Sequence, residues 1–175
     1  VLRRVHYTAE FEGDSFVNGR LTAETEKRGD SPAYLSLGNP TCVIRNLTWH
    51  DRPALWGLAP SDETLLRLPA REDVLQGEWS LRGSRFFERI EFDAALLPAV
   101  LTTLELRLPA EKWLPAEGQI SLRTTPDPDP QWRLWHLELG RQTQLRVAIA
   151  DQATAPATAE PVAERVSRHT VTEDG

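Results

Sequence analysis

From Val5 to Phe11 every second residue is apolar (Val5, Tyr7, Ala9, Phe11), and His6, Thr8, Glu10 and Glu12 fall between and after them. A repeat of two is the side-chain period of a β-strand, because successive Cβ atoms point to opposite faces. A helix could not gather these four residues on one side. After Glu12-Gly13-Asp14-Ser15 the pattern resumes, with Val17, Gly19, Leu21, Ala23 and Thr25 expected on one face. Gly tolerates positive φ, and Asp and Ser bond back to their own backbone, so the break reads as a turn. Val5 to Glu26 is therefore expected to form a hairpin.

The alternation persists along most of the chain. Tyr34, Leu35 and Leu37 precede Gly38-Asn39-Pro40, and Cys42 to Trp49 carries Val43, Ile44, Leu47 and Trp49. Leu55 to Leu58 and Leu65 to Leu68 are shorter strands on either side of Pro60-Ser61-Asp62. Leu75, Gly77, Trp79 and Leu81 lead to a turn at Gly83-Ser84, and Phe86, Ile90 and Phe92 are expected on one face of the returning strand. Leu104, Leu106 and Leu108 alternate with Thr103, Glu105 and Arg107, and Gln119 to Thr124 forms a brief strand. Trp132 to Leu139 has bulk on both faces, as a central strand would, and Leu145, Val147 and Ile149 answer it beyond Gly140-Arg141 as the second arm of a hairpin.

Asp93 to Leu101 has room for one helical turn, which Pro98 interrupts, and 13 prolines spread along the chain cut against longer helices. The expected fold is all-β: an antiparallel β-sandwich of about 8–10 strands, with a partly closed β-barrel as the alternative. It should occupy residues 1–151. Residues 152–164 have the Ala, Thr, Pro and Glu composition of a linker, and residues 165–175 regain alternation as the start of a following segment or a tail. The chain begins at Val1 and contains no Met, which suggests a domain cut from a longer protein.

A formal net charge of -6 argues against nucleic acid as a partner, since phosphate binding needs a cationic surface. No apolar run is long enough to span a membrane. The lone Cys42 cannot form an internal disulfide and reads as a small buried hydrophobe. Four histidines and one cysteine show no metal-ligand spacing, so neither metal nor cofactor is expected. His50 and Asp51 are adjacent, point to opposite faces of a strand and cannot by themselves form a catalytic dyad. The alternating prolines around Asp127 and Asp129 predict a stiff, extended segment rather than a calcium loop. No phosphate loop or nucleophile elbow is present.

Six tryptophans remain to be placed. Trp79 sits on an alternating apolar face and belongs in the core. Trp132 and Trp135 fall on opposite faces of one strand, so one should be core and the other should cover a second face or meet a partner. Trp49, Trp56 and Trp113 lie at strand ends or in loops beside polar residues, and these three are the candidate contacts for a ligand or partner.

Val5–Gly13, Asn18–Leu21, Pro32–Leu37 and Asn39–Trp49 resemble an N-terminal β-domain of large, uncharacterised bacterial envelope proteins. Gly77–Leu81 with Phe92, Leu104–Pro109 and Trp132–Gly140 are similar to the later strands of such domains. The resemblance runs from Val1 to about Asp151. It implies a β-sandwich module of an exported, multi-domain protein, with no activity and no site residues. The opening hairpin also resembles the β-domain that precedes the catalytic domain in zinc aminopeptidases. The metal-binding helix of that family is absent from this sequence, so no peptidase activity carries over. Together these readings favour a non-catalytic structural or protein-interaction module whose partners are proteins or adjacent domains of the same chain. A carbohydrate-binding sandwich using loop tryptophans is the alternative, followed by a hydrolase or the accessory domain of a catalytic neighbour.

Overall fold

The computed structural model describes residues 2–26, 33–38, 41–50, 52–69, 73–114 and 121–151. The proposed linker and tail lie outside these residues, and so does Asp51. Among the described residues there is no helix. The strands are β1 (Leu2–Glu12), β2 (Ser15–Thr25), β3 (Ala33–Gly38), β4 (Val43–Trp49), β5 (Arg52–Pro53), β6 (Trp56–Leu58), β7 (Thr64–Leu68) and β8 (Val74–Arg82). They continue as β9 (Ser84–Phe86), β10 (Arg89–Ala95), β11 (Ala99–Pro109), β12 (Lys112–Trp113), β13 (Ser121–Pro126), β14 (Trp132–Gly140) and β15 (Gln144–Asp151). Most of the excess of these fifteen elements over the expected 8–10 lies in β5, β6, β9 and β12, which are only two or three residues long.

Three sheets result. Eight strands form the largest, in the order β13-β14-β11-β1-β2-β8-β4-β5; four form β12-β15-β10-β9 and three form β3-β7-β6. None closes into a barrel. The purely antiparallel expectation is corrected at the centre of the large sheet, where β1 pairs with β11 in parallel from Leu2↔Ala99 to Glu10↔Arg107. Parallel neighbours need a crossover. Here the chain leaves β10 in the four-stranded sheet, passes through Leu96-Leu97-Pro98 and enters β11. The buried Leu97 amide donates to the Tyr7 phenolic oxygen at 2.9 Å and ties the crossover to β1.

The inner face of the large sheet carries Val5, Tyr7, Phe11, Phe16, Leu21, Leu75, Trp79, Leu104, Leu106, Trp135 and Leu137, all buried. Phe92 of the four-stranded sheet meets Phe16 with centroids 4.1 Å apart and meets Phe11 edge-on at 6.2 Å. Trp113 meets Trp135 edge-on at 5.4 Å. Cys42 is buried as expected, and burial raises its thiol pKa.

Three local expectations are corrected. The segment from Trp132 to Ile149 is not a hairpin, since β14 belongs to the large sheet and β15 to the four-stranded one. Gly140, at φ 59°, turns the chain from one sheet to the other. The alternating apolar residues of both strands are therefore buried without the strands being hydrogen-bonded neighbours. Phe86 does not share a face with Ile90 and Phe92. The reversal occurs at Phe87-Glu88, between the paired Phe86 and Arg89, and leaves Phe86 exposed. Residues 127–131 turn rather than extend. Asp127 accepts from the Asp129 amide at 2.9 Å and Asp129 from the Gln131 amide at 3.0 Å, so side-chain-stabilised turns close the β13–β14 hairpin.

Candidate functional site

Two β-bulges shape the outer face of the large sheet. Between Phe16 and Gly19 two residues of β2 (Val17 and Asn18) oppose one of β8 (Ser80). Between Arg45 and Thr48 two residues of β4 (Asn46 and Leu47) likewise oppose one of β8 (Gly77). A bulge adds one unpaired residue and bends its strand. It also reverses the face on which later residues fall. Phe16 is thus buried together with Leu21, and Val17 is only half-buried, unlike the unbroken alternation expected from Val17 to Thr25.

Each bulge holds an asparagine at positive φ, Asn18 at 51° and Asn46 at 52°, which Asn tolerates better than most residues. Gly19 completes the first bulge, because a Cβ there would lie 2.3 Å from the Trp79 carbonyl oxygen. Beneath it the Trp79 indole N–H donates to the Thr8 and Arg20 carbonyls at 3.0 and 3.1 Å, serving backbone groups beside the bulge.

The bent strands enclose an open cavity of about 970 Å³ whose lining includes Glu10, Arg20, Arg45, Glu78, Glu105 and Arg107. Strand register sets Thr8 opposite Arg20, Arg20 opposite Glu78 and Glu78 opposite Arg45, in a row across four strands. The carboxylates are engaged. Asn18 donates to Glu10 at 3.2 Å and Asn46 to Glu78 at 3.1 Å, and His136 Nδ1 lies 3.3 Å from Glu105. Arg107 is engaged as well. It donates to Asp127 at 2.8 and 3.2 Å and to Glu10 at 3.2 Å, and stacks 4.6 Å over Trp132. Its bonds hold the Asp127 carboxyl below the usual carboxylate range, helped by the Asp129 amide. The Arg20 and Arg45 side chains are exposed and make no hydrogen bond or ion pair among the described residues.

A second surface is apolar. In the three-stranded sheet Leu35, Leu66 and Trp56 stand side by side. Leu66 is fully buried, whereas Trp56 is 48% exposed and Leu58, on the same face, is 75% exposed. The face of this sheet that is covered at β7 is thus uncovered at β6, an edge strand among the described residues.

The three candidate tryptophans fall in three different sheets. Trp49 is only 6% exposed, its inward face in β4 being set by the Asn46 bulge, and has little surface to offer a ligand. Trp113 is half-buried against Trp135. Trp56 alone of the three is broadly exposed. His50 pairs with Asp73. His6 bonds Thr103 at 3.0 Å, and His136 meets Glu105 and Thr125; no two of these histidines share a partner. Among the described residues no cluster of His, Cys, Asp and Glu could hold a metal ion. Arg20, Arg45 and the two asparagines escaped the reading of the sequence. Their signal is a break in parity: Phe16 and Leu21, or Ile44 and Leu47, are spaced by odd numbers yet all apolar.

No family model matches the chain, and no curated protein matches it. Among solved structures it is similar to an M1 zinc metallopeptidase from Deinococcus radiodurans, a variant bound to a Tyr-Ser-Ala substrate. The TM-score is 0.50 at 11% identity, over 85% of this chain and 42% of that one. Native yeast LTA4 hydrolase aligns with a TM-score of 0.49 at 9% identity, over 86% of this chain and 28% of that one. The chain spans less than half the length of either structure. At such identity the first likeness shows a shared fold and nothing further.

Proposed function

We propose that the chain is a non-catalytic accessory module that docks on another folded domain of the same polypeptide. The observation that carries this reading is the uncovered edge at β6. Trp56 and Leu58 lie on the face that buries Leu66, yet remain exposed. An apolar face left open beside a free strand edge is an incomplete core, which a second body completes. The Deinococcus likeness supports the reading, because there the fold occupies 42% of a longer chain. Contacts of Phe16 and Phe11 with Phe92, and of Trp135 with Trp113, support a sandwich-like packing of the large sheet against the four-stranded one, which would serve as a rigid base for the docking edge.

Hydrogen exchange tests the proposal. The β6 amides in the isolated 175-residue chain are compared with those in the longer polypeptide that carries it. Protection is expected to rise by about tenfold or more in the longer form, as an open edge becomes a closed contact. The substitution Leu58→Asp should abolish that gain. Equal exchange in both forms would count against the reading.

A further inference from the structure

We propose that the concave outer face of the large sheet binds an acidic peptide, with Arg20 and Arg45 receiving its carboxylates. This site lies on a different sheet from β6 and stands independently of the docking proposal.

The cavity lining holds three arginines and three glutamates and is formally neutral. The two signs are unevenly engaged: each glutamate has at least one side-chain contact, whereas two of the three arginines have none among the described residues. Asn18, Asn46 and His136 contact the three glutamates, and Asp127 and Glu10 engage Arg107. Among the described residues two guanidiniums are left over, each with five N–H donors in a planar fork that matches a carboxylate. The bulges produce both features at once, since they bend β2 and β4 into a concavity and present the asparagines that occupy Glu10 and Glu78.

Spacing and sign narrow the ligand. Arg20 and Arg45 flank Glu78 on either side of β8, so their backbones are two strand spacings apart, roughly 10 Å. The order cation, anion, cation suits two carboxylates separated by a donor. Backbone N–H groups between acidic side chains supply that donor. A nucleic acid backbone, with a phosphate at every nucleotide, would place charge against Glu10, Glu78 and Glu105, which disfavours it. Thr8, Thr22, Thr48 and Gln76 add neutral hydrogen-bonding groups to the lining. A cavity of about 970 Å³ is at the upper end of ordinary ligand sites and admits a short peptide.

The test is fluorescence anisotropy at low ionic strength, with a fluorescein-labelled hexapeptide of alternating Glu and Ser. The intact chain should bind it, and the same peptide with Gln in place of Glu should bind about tenfold more weakly or not at all. Arg20→Gln with Arg45→Gln should weaken binding by about tenfold or more, whereas Arg85→Gln, an exposed arginine on β9 outside the cavity, should leave it unchanged. Glu78→Gln should tighten binding by removing the anion between the two cations. Both arginines are surface residues, and thermal melts check that each variant folds. Absence of binding, equal loss in the Arg85 variant, or equal affinity for the Gln peptide would overturn the proposal. Tighter binding of inorganic phosphate or single-stranded DNA than of the acidic peptide would overturn it too.

Discussion

Tyr7→Phe isolates one hydrogen bond on which the central topology depends. The ring keeps its volume and its edge-on contact with Trp79 at 5.5 Å, so the apolar area buried hardly changes. What disappears is the acceptor for the Leu97 amide, 2.9 Å away in the crossover that leads into the parallel strand β11. A buried N–H left without a partner costs about 1–3 kcal/mol. Sparing the phenol its own desolvation offsets part of this, leaving an expected loss of about 1–2 kcal/mol. With a urea m-value of about 2 kcal/mol/M for a domain of this size, the unfolding midpoint should fall by about 0.5–1 M with m unchanged. Alkaline pH gives a second reading. Burial raises the Tyr7 pKa far above its ordinary value of 10.0, against a smaller opposing effect of the Leu97 amide. Stability from a raised phenol is present in full below the unfolded pKa and declines as pH rises above it. The intact chain should lose stability above about pH 10 more steeply than Tyr7→Phe. A midpoint shift under about 0.2 M, with parallel alkaline profiles, would refute the reasoning.

The Arg107–Asp127 pair predicts acid sensitivity. Because the Asp127 pKa is lowered in the folded chain, the pair's contribution is present above the ordinary carboxylate pKa and is lost as pH falls through the depressed value. Asp127→Asn should therefore melt below the intact chain at neutral pH, and the two melting curves should converge in strong acid. Phe87 is 86% exposed and sits at φ 54°, the first central position of a two-residue turn where glycine is usual. Asn accepts that conformation more readily, so Phe87→Asn should raise stability by about 0.5–1 kcal/mol in urea unfolding, and a loss of similar size would contradict the strain argument.

Much of the strand content was legible in the sequence because the period of two is local. Val5 to Phe11 shows its buried face without help from any other segment, and most expected strands lie within a few residues of observed ones. The same locality makes Cys42 and Trp79 recognisable as core, and the turn at Gly13 recognisable as a turn.

Tertiary structure alone decided which strands are neighbours. Alternation states that one face of β14 and one face of β15 are buried, and it says the same whether they pair edge to edge or fall in different sheets. The parallel alignment of β1 with β11 spans 97 residues of sequence at His6↔Thr103, and no local pattern encodes it. The candidate site depends still more on tertiary structure. Arg20, Glu78 and Arg45 come from three separate strands and form one row only after two bulges fix the register. Whether a charged side chain is engaged or left over depends on neighbours that the linear order does not reveal. Hydrophobic periodicity therefore identified the strands, whereas hydrogen-bonding register and side-chain pairing across strands determined which surfaces remain available for binding.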